Sequence, residues 1–262
     1  MLKKRLIFTL LFDGAGFVLS RNFRLQRVGD LLWLQKNYNF ENTARSIDEL
    51  VILNVSREKS DLKTFSEAIK SLSKGCFVPI SAGGGICSIG DAGVLLKSGA
   101  DKVVINTMLI TDYNLVQQIA NKYGKQCIVA SIDVKRGADG QFAQHIDSGN
   151  TELSDDPRLI LERLQDGPIG EIYLNSMDRD GTGQGYDMGT LELLPTNCTK
   201  PVILAGGVGN SNHLDLGLRD NRVDAVATAH LFNFVGNGLE SARKNLVSNG
   251  HRFPTWNFDD LA

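Results

Sequence analysis

Short apolar, β-branched runs alternate along this chain with amphipathic stretches. The runs are Leu6–Leu11, Leu50–Val55, Phe77–Ser81, Lys102–Ile105, Cys127–Ile132, Glu171–Leu174, Val202–Leu204 and Ala225–Ala227. Helix-like segments lie between most of them: Asp61–Leu72, Ile89–Leu96, Asp112–Lys122, Pro157–Leu164 and Asn210–Leu218. Apolar strands separated by helices predict a parallel sheet covered on both faces. Eight such units predict an α/β fold, a (β/α)8 TIM barrel forming a single domain over residues 1–262, with an open doubly wound sheet as the alternative. Gly137 to Asn150 breaks the rhythm and reads as a loop or hairpin above the fifth run.

The chain also repeats itself. A shift of 122 positions carries Gly84 onto Gly206, Glu49-Leu-Val-Ile-Leu onto Glu171-Ile-Tyr-Leu-Asn, and Leu6–Leu11 onto Ile128–Asp133. A repeat of that length predicts two similar half-barrels. It also exposes an asymmetry, because Asp133 ends its run with a carboxylate and Leu11 does not.

In such a barrel the chemistry sits at the C-terminal ends of the strands. Gly84 and Gly85 follow the third run, with Asn106 and Thr107 after the fourth. Gly206 and Gly207 follow the seventh, with Ala229 and His230 after the eighth. Glycine lets backbone N–H groups reach phosphate oxygens, and the next helix start favours negative charge. Two related cradles predict a ligand with two phosphates, whereas tight turns alone would also use glycine. Asp133 is the candidate acid or base, with Lys135 close enough in sequence to hold it ionised. Met177-Asp178-Arg179-Asp180-Gly181-Thr182 adds two carboxylates, which could equally serve a salt-bridged loop. The mouth is expected to be lined by Asn54, Asn106, Asp133, Ser176, Asp178, Gly84 and Gly206. At the opposite ends of the strands, Arg5, Glu49, Lys102 and Glu171 form a set of alternating charge, for which structural salt bridging is the plain explanation.

Charge and cysteine content narrow the class. A net charge of −2 argues against a broad nucleic-acid or membrane surface. Cys76, Cys87, Cys127 and Cys198 form no CxxC pair, and no His stands at zinc-ligand spacing, so neither a metal site nor a cofactor is expected. The four histidines give no nucleophilic triad pattern. Leu6–Phe12 is too short an apolar stretch for a secretory leader and no small-residue cleavage site follows, so it reads as a buried first strand, and the unpaired thiols lead to the expectation of a reducing, cytoplasmic setting.

These motifs carry a resemblance. The segments Lys4-Arg5, Asp48-Glu49-Leu50-Val51, Gly83-Gly84-Gly85-Ile86, Asp101–Thr107, Ser131–Arg136, Ser176–Thr182, Gly185-Tyr186-Asp187 and Ala205-Gly206-Gly207 resemble the HisF-type cyclase subunit of imidazole glycerol phosphate synthase, over nearly the whole chain. The resemblance implies a partner glutaminase in a heterodimer, a bis-phosphorylated substrate and cyclisation with ammonia. It implies catalytic roles at Asp133, Asp178 and Ser176. It implies phosphate contacts at Gly84, Gly85, Asn106, Thr107, Asp180, Gly181, Gly206, Gly207, Ala229 and His230. Arg5, Glu49, Lys102 and Glu171 match that family's ammonia gate, and Asp101 a position at the subunit interface.

The chain departs from the pattern at four places. The family's strand-one aspartate falls at Leu11, its loop-one lysine near Leu19, its strand-two aspartate at Asn54 and a strand-eight serine at His230. Asp13 matches a later Asp-Gly turn instead. Leu10-Leu11 and the basic segment Asn22–Asp30 look like the cyclase-like paralogues that supply ammonia for acetamidino groups on surface-polysaccharide sugars (a lipopolysaccharide-type pathway). A true histidine-pathway cyclase and a non-catalytic barrel that activates a glutaminase are the alternatives.

Overall fold

The computed structural model describes residues 3–38, 40–57, 61–229 and 238–255. Its strands, in chain order, are β1 (Arg5–Phe12), β2 (Phe17–Arg21), β3 (Arg24–Gly29), β4 (Glu49–Asn54), β5 (Ile80–Gly83), β6 (Lys102–Ile105), β7 (Ile128–Arg136), β8 (Phe142–Ile146), β9 (Thr151–Glu152), β10 (Glu171–Ser176), β11 (Val202–Ala205) and β12 (Ala225–Thr228). Eight of them are parallel neighbours in the order β1-β4-β5-β6-β7-β10-β11-β12, and β12 returns to β1, so the sheet closes into a (β/α)8 barrel. The other four form two antiparallel hairpins, β2–β3 after β1 and β8–β9 after β7.

The helices follow from local signals. Asp61 caps α3 (Leu62–Ser73) by accepting from the Lys63 and Thr64 amides, and Ser88 caps α4 (Ile89–Lys97). Asp112 caps α6 (Tyr113–Tyr123), Asp156 caps α7 (Pro157–Gln165), where Pro157 takes the first turn, and Asn210 caps α8 (Ser211–Arg219). Helices α1 (Leu31–Tyr38), α2 (Phe40–Arg45), α5 (Met108–Thr111) and α9 (Gly238–Ser248) are the other α-helices among the described residues. No helix among the described residues is long and apolar enough to cross a membrane.

Two hydrophobic layers hold the barrel. Outward-facing residues such as Leu6, Phe8, Leu50, Ile52, Ile132 and Leu174 pack against the helices. Inside, Ile7, Val51, Val104, Val129, Tyr173, Ile203, Ala225 and Ala227 form a separate apolar plug. Strand alternation separates the two sets, since successive side chains take opposite faces.

The third strand begins later than its apolar run. Phe77 stays 58% exposed, and pairing starts at Ile80, immediately after Pro79, whose ring offers no N–H to the ladder. Gly137 to Asn150 holds the turn out of β7, strand β8 and the turn into β9. The repeat holds in three dimensions. A Cβ on Gly84 would lie 2.0 Å from the Asn54 carbonyl oxygen, and one on Gly206 would lie 2.6 Å from that of Ser176. The shift of 122 relates both members of each pair.

Candidate functional site

The polar ends of the strands and the two hairpins enclose a cavity of about 550 Å3 at the barrel mouth. Asp133 lies on its wall near the end of β7. Its Oδ1 accepts from Asn175 Nδ2 at 2.8 Å, and its Oδ2 from Asn106 Nδ2 at 3.1 Å. Asn106 also donates to the Ser131 carbonyl at 3.0 Å, which fixes its amide. Burial pushes the Asp133 carboxyl up to about 6; the Asn175 hydrogen bond opposes this and the Asp180 charge adds to it. The group can therefore exchange a proton near neutral pH. Below it, Tyr173 and Thr9 share a hydrogen bond of 3.1 Å between their hydroxyls. Burial, with Asp133 and Asp180 nearby, keeps the Tyr173 hydroxyl protonated.

Asp180 is the second carboxylate on the cavity wall. Burial raises its pKa, while Ser20 Oγ and the Phe23 amide donate to Oδ2 and oppose the rise. It holds down the tip of the β2–β3 hairpin, and Gly181 makes that approach possible: a Cβ there would sit 1.9 Å from the Ser20 carbonyl oxygen. Leu11, Leu19 and Leu53 give the side of the cavity nearest β1 an apolar surface. Asp13 does not reach the cavity. Its Oδ1 accepts from the Ala15 and Gly16 amides and its Oδ2 pairs with Arg27 at 3.1 Å.

At the other end of the barrel, Arg5, Glu49, Lys102 and Glu171 close a four-membered ring. Arg5 meets Glu49 at 3.0 Å and Glu171 at 2.7 Å, while Lys102 meets Glu49 at 3.0 Å and Glu171 at 2.8 Å. Each charge has two opposite neighbours, so the ring is neutral. Burial would raise the Glu171 carboxyl, but Arg5 and Lys102 together hold it below its usual value. Asp101 lies outside the ring, where its carboxylate accepts from the Ile80 amide at 2.8 Å.

The similarities of the chain agree with this geometry. Residues 23–236 match the family described as "Histidine biosynthesis protein". The chain is 49% identical over 244 residues to a protein of Parasynechococcus marenigrum (strain WH8102), covering 93% of this chain and 90% of the relative. That relative's name, imidazole glycerol phosphate synthase subunit hisF2, is a provisional one. Imidazole glycerol phosphate synthase subunit HisF of Chlorobaculum tepidum is 36% identical and that of Chlorobium limicola 37%, each over 251 residues, 95% of this chain and 98% of the relative. This chain belongs to the histidine biosynthesis protein family. Within it, it is a HisF-type subunit.

In this HisF-type barrel the expected mouth residues Asn54, Asn106, Asp133, Gly84 and Gly206 line the cavity, as do Gly85, Thr107, Asp180, Gly181, Gly207 and Ala229. Gly84, Gly85, Gly206 and Gly207 all have positive φ. Ser176 and Asp178 do not line it. Ser176 alternates with the inward Asn175, so its side chain is buried on the opposite face of β10. The Asp178 Oδ2 is taken by the Arg136 backbone amide at 2.7 Å. Lys135 is exposed on the part of β7 that pairs with β8 and does not hold Asp133 ionised, since that carboxyl is shifted the other way. His230 lies outside the described residues. Asn175, one of the polar residues at the strand ends but not among the expected mouth residues, is a partner that orients Asp133. The signal was present, because Glu171 faces the barrel interior and positions 173 and 175 must follow it.

Proposed function

We propose that this chain is a HisF-like synthase subunit that takes ammonia from a partner glutaminase and delivers it to a phosphorylated ligand at the mouth, in amidino-sugar formation for surface polysaccharide. Classical cyclisation to imidazole glycerol phosphate is not its main reaction. The observation that carries this reading is the contrast between the two ends of the barrel. The charged ring below is complete and neutral. Above, Leu11 stands where a second proton-transferring carboxylate would face Asp133, and Asp13 is committed to its turn and to Arg27.

The ring suits an entrance for ammonia. For stability alone, a buried ion-pair set is not favoured over an apolar plug, because desolvation offsets the attraction. The apolar layer of Ile7, Val51, Val104, Val129 and Ile203 above it would pass neutral ammonia and exclude ammonium. Asp101 and the exposed lower face offer the glutaminase its docking site. At the mouth, Gly84–Gly85 with Asn106 and Thr107, and Gly206–Gly207 with Ala229, are the two phosphate cradles. Asp133, oriented by Asn106 and Asn175, is the acid–base group. The barrel acts as one domain, in the cytoplasm, without a cofactor of its own.

The test supplies the purified chain with the bis-phosphorylated ribulosyl intermediate and ammonium salt. Loss of one acid–base group costs on the order of 10²–10⁴ in rate, so wild-type turnover is expected to fall that far below a histidine-pathway enzyme. Leu11→Asp is expected to recover part of it. Turnover comparable to the histidine-pathway enzyme overturns the reading in favour of a true cyclase. A glutaminase stimulated by this chain with no product from the barrel assigns it instead as a non-catalytic activator.

A further inference from the structure

We propose that the tip of the β2–β3 hairpin is an anion clamp. In it Arg21, Arg24 and Arg57 hold a phosphoryl group of a small-molecule ligand at the rim of the cavity, apart from the two glycine cradles on the barrel itself. The clamp stands whether or not ammonia enters from below.

Its construction runs against local stability in two respects. Arg21 and Arg24 are direct partners across the hairpin, and like charges placed opposite one another are destabilising. The two turn residues between them, Asn22 and Phe23, have φ of 50° and 62°. That left-handed region suits Asn, but at the second position glycine is the usual residue and an aromatic side chain is disfavoured.

The tip is nevertheless fixed in place. The Asn22 amide donates to the Asp180 carbonyl and its Nδ2 to the Asp178 carbonyl at 2.8 Å. The Phe23 amide donates to the Asp180 carboxylate, and the Arg57 guanidinium, from the loop after β4, donates to the Phe23 carbonyl. The Phe23 ring lies over Gly149 of the second hairpin, where a Cβ would approach to 2.9 Å.

What the tip presents is positive charge. All three arginines line the cavity and are exposed. Among the described residues neither Arg21 nor Arg24 has an acidic partner, whereas Arg27 of the same hairpin pairs with Asp13 and Arg136 pairs with Asp187. Of the carboxylates that share the cavity, Asp133 is engaged with two asparagines and Asp180 with Ser20 and Phe23, and among the described residues the exposed Asp147 forms no ion pair with an arginine. Planar guanidinium forks match phosphoryl oxygens two at a time, and three of them suit a multiply charged group such as a diphosphate. Because these side chains line the cavity, the ligand they fit is a small molecule entering the mouth, not an acidic protein surface.

The experiment titrates inorganic pyrophosphate into the full chain by calorimetry at low salt, and follows arginine Nε–H signals by NMR. Saturable binding that moves the Arg21 and Arg24 signals is expected. Arg21→Gln and Arg24→Gln should each weaken it roughly tenfold, as expected for loss of a hydrogen bond to a charged group. Thermal melting of the double variant should match or exceed the wild type, since the substitutions remove a repulsion. Arg24→Glu should fold as well and bind least. Three results overturn the clamp: no pyrophosphate binding to the wild type, unchanged affinity in the double variant, or a markedly lower melting temperature showing that the arginines are structural. None of the three measurements uses glutaminase, ammonia or turnover, so failure here leaves the proposed function standing, and the converse also holds.

Discussion

Removing Glu171 from the lower ring should destabilise the barrel, and removing its partner as well should restore much of the loss. In Glu171→Ala, Arg5 and Lys102 lose their shared neighbour and face each other with only Glu49 between them. Breaking a buried ion pair by deleting one partner costs about 3–5 kcal/mol. The side chains of Arg5, Lys102 and Glu171 retain 20%, 17% and 13% exposure, so water compensates in part. We therefore expect a loss of roughly 2–3 kcal/mol, which for a chain of this size lowers Tm by about 5–10 °C. Lys102→Met/Glu171→Leu leaves Arg5 and Glu49 as a balanced pair and replaces the other two charges with apolar volume. It should melt within a few degrees of the wild type. The ring also has a pH signature. The Glu171 carboxyl is depressed in the folded state, so its stabilisation is present above the unfolded value of 4.5 and is lost as pH falls through the lower folded value. Glu171→Ala should thus lie furthest below the wild type at neutral pH and converge with it in acid. Scanning calorimetry from pH 3 to pH 8 makes the comparison. A single variant that melts with the wild type, or a double variant no more stable than the single, would refute the ring as an electrostatic unit. The same double variant separates stability from the proposed transport: if it folds but glutamine-driven product formation with an added glutaminase leaks or fails, the charges serve passage.

Asp133→Asn should flatten the dependence of stability on pH. The wild-type carboxyl rises from 3.8 to about 6 on folding, so the wild type loses stability as pH climbs through that window. A tenfold change in proton affinity between the folded and unfolded chain is worth about 1.4 kcal/mol, so the total is at most about 3 kcal/mol, measurable by thermal melts between pH 4 and pH 7. Gly84→Ala should destabilise by more than about 1 kcal/mol, the usual effect of one substitution, because its Cβ would meet the Asn54 carbonyl oxygen at 2.0 Å at a positive φ; chemical unfolding checks this. Gly181→Ala should release the hairpin tip from Asp180 with little effect on the barrel, seen as faster amide exchange at Asn22 and Phe23 against an unchanged core.

Most of the barrel was legible because its strands are buried on both faces and so read as apolar runs, each closed by polar residues and glycine. The hairpin after β1 was not, because β3 carries the exposed, polar sequence Arg24-Leu-Gln-Arg-Val-Gly and pairs only with β2. Its basic character was visible, but its place over the mouth depends on contacts with Met177–Gly181, more than 150 positions away. Ser176 and Asp178 were expected at the site because they sit in a polar cluster at a strand end. Counting by twos from Glu171 would have put Asn175 there instead. The charged ring was legible as a set of four residues. That it closes on itself, with each charge shared between two neighbours, follows only from the barrel.

The matched glycine contacts also bear on the ancestry of the fold. Asn54 with Gly84 and Ser176 with Gly206 show the same backbone collision avoided at the same height in each half. A duplicated gene would inherit that constraint whole, together with Glu49 and Glu171 at the other end. The inward side chain at each strand tip is under no such constraint, and it differs between the halves: Leu11 in one, Asp133 in the other. Each half alone would expose two unpaired strand edges, β1 and β6 in the first and β7 and β12 in the second. Such edges recruit other strands, so an ancestral half would have needed a second copy of itself. The present chain supplies that copy covalently, so the two halves can differ in their mouth side chains while each still covers the other's edges.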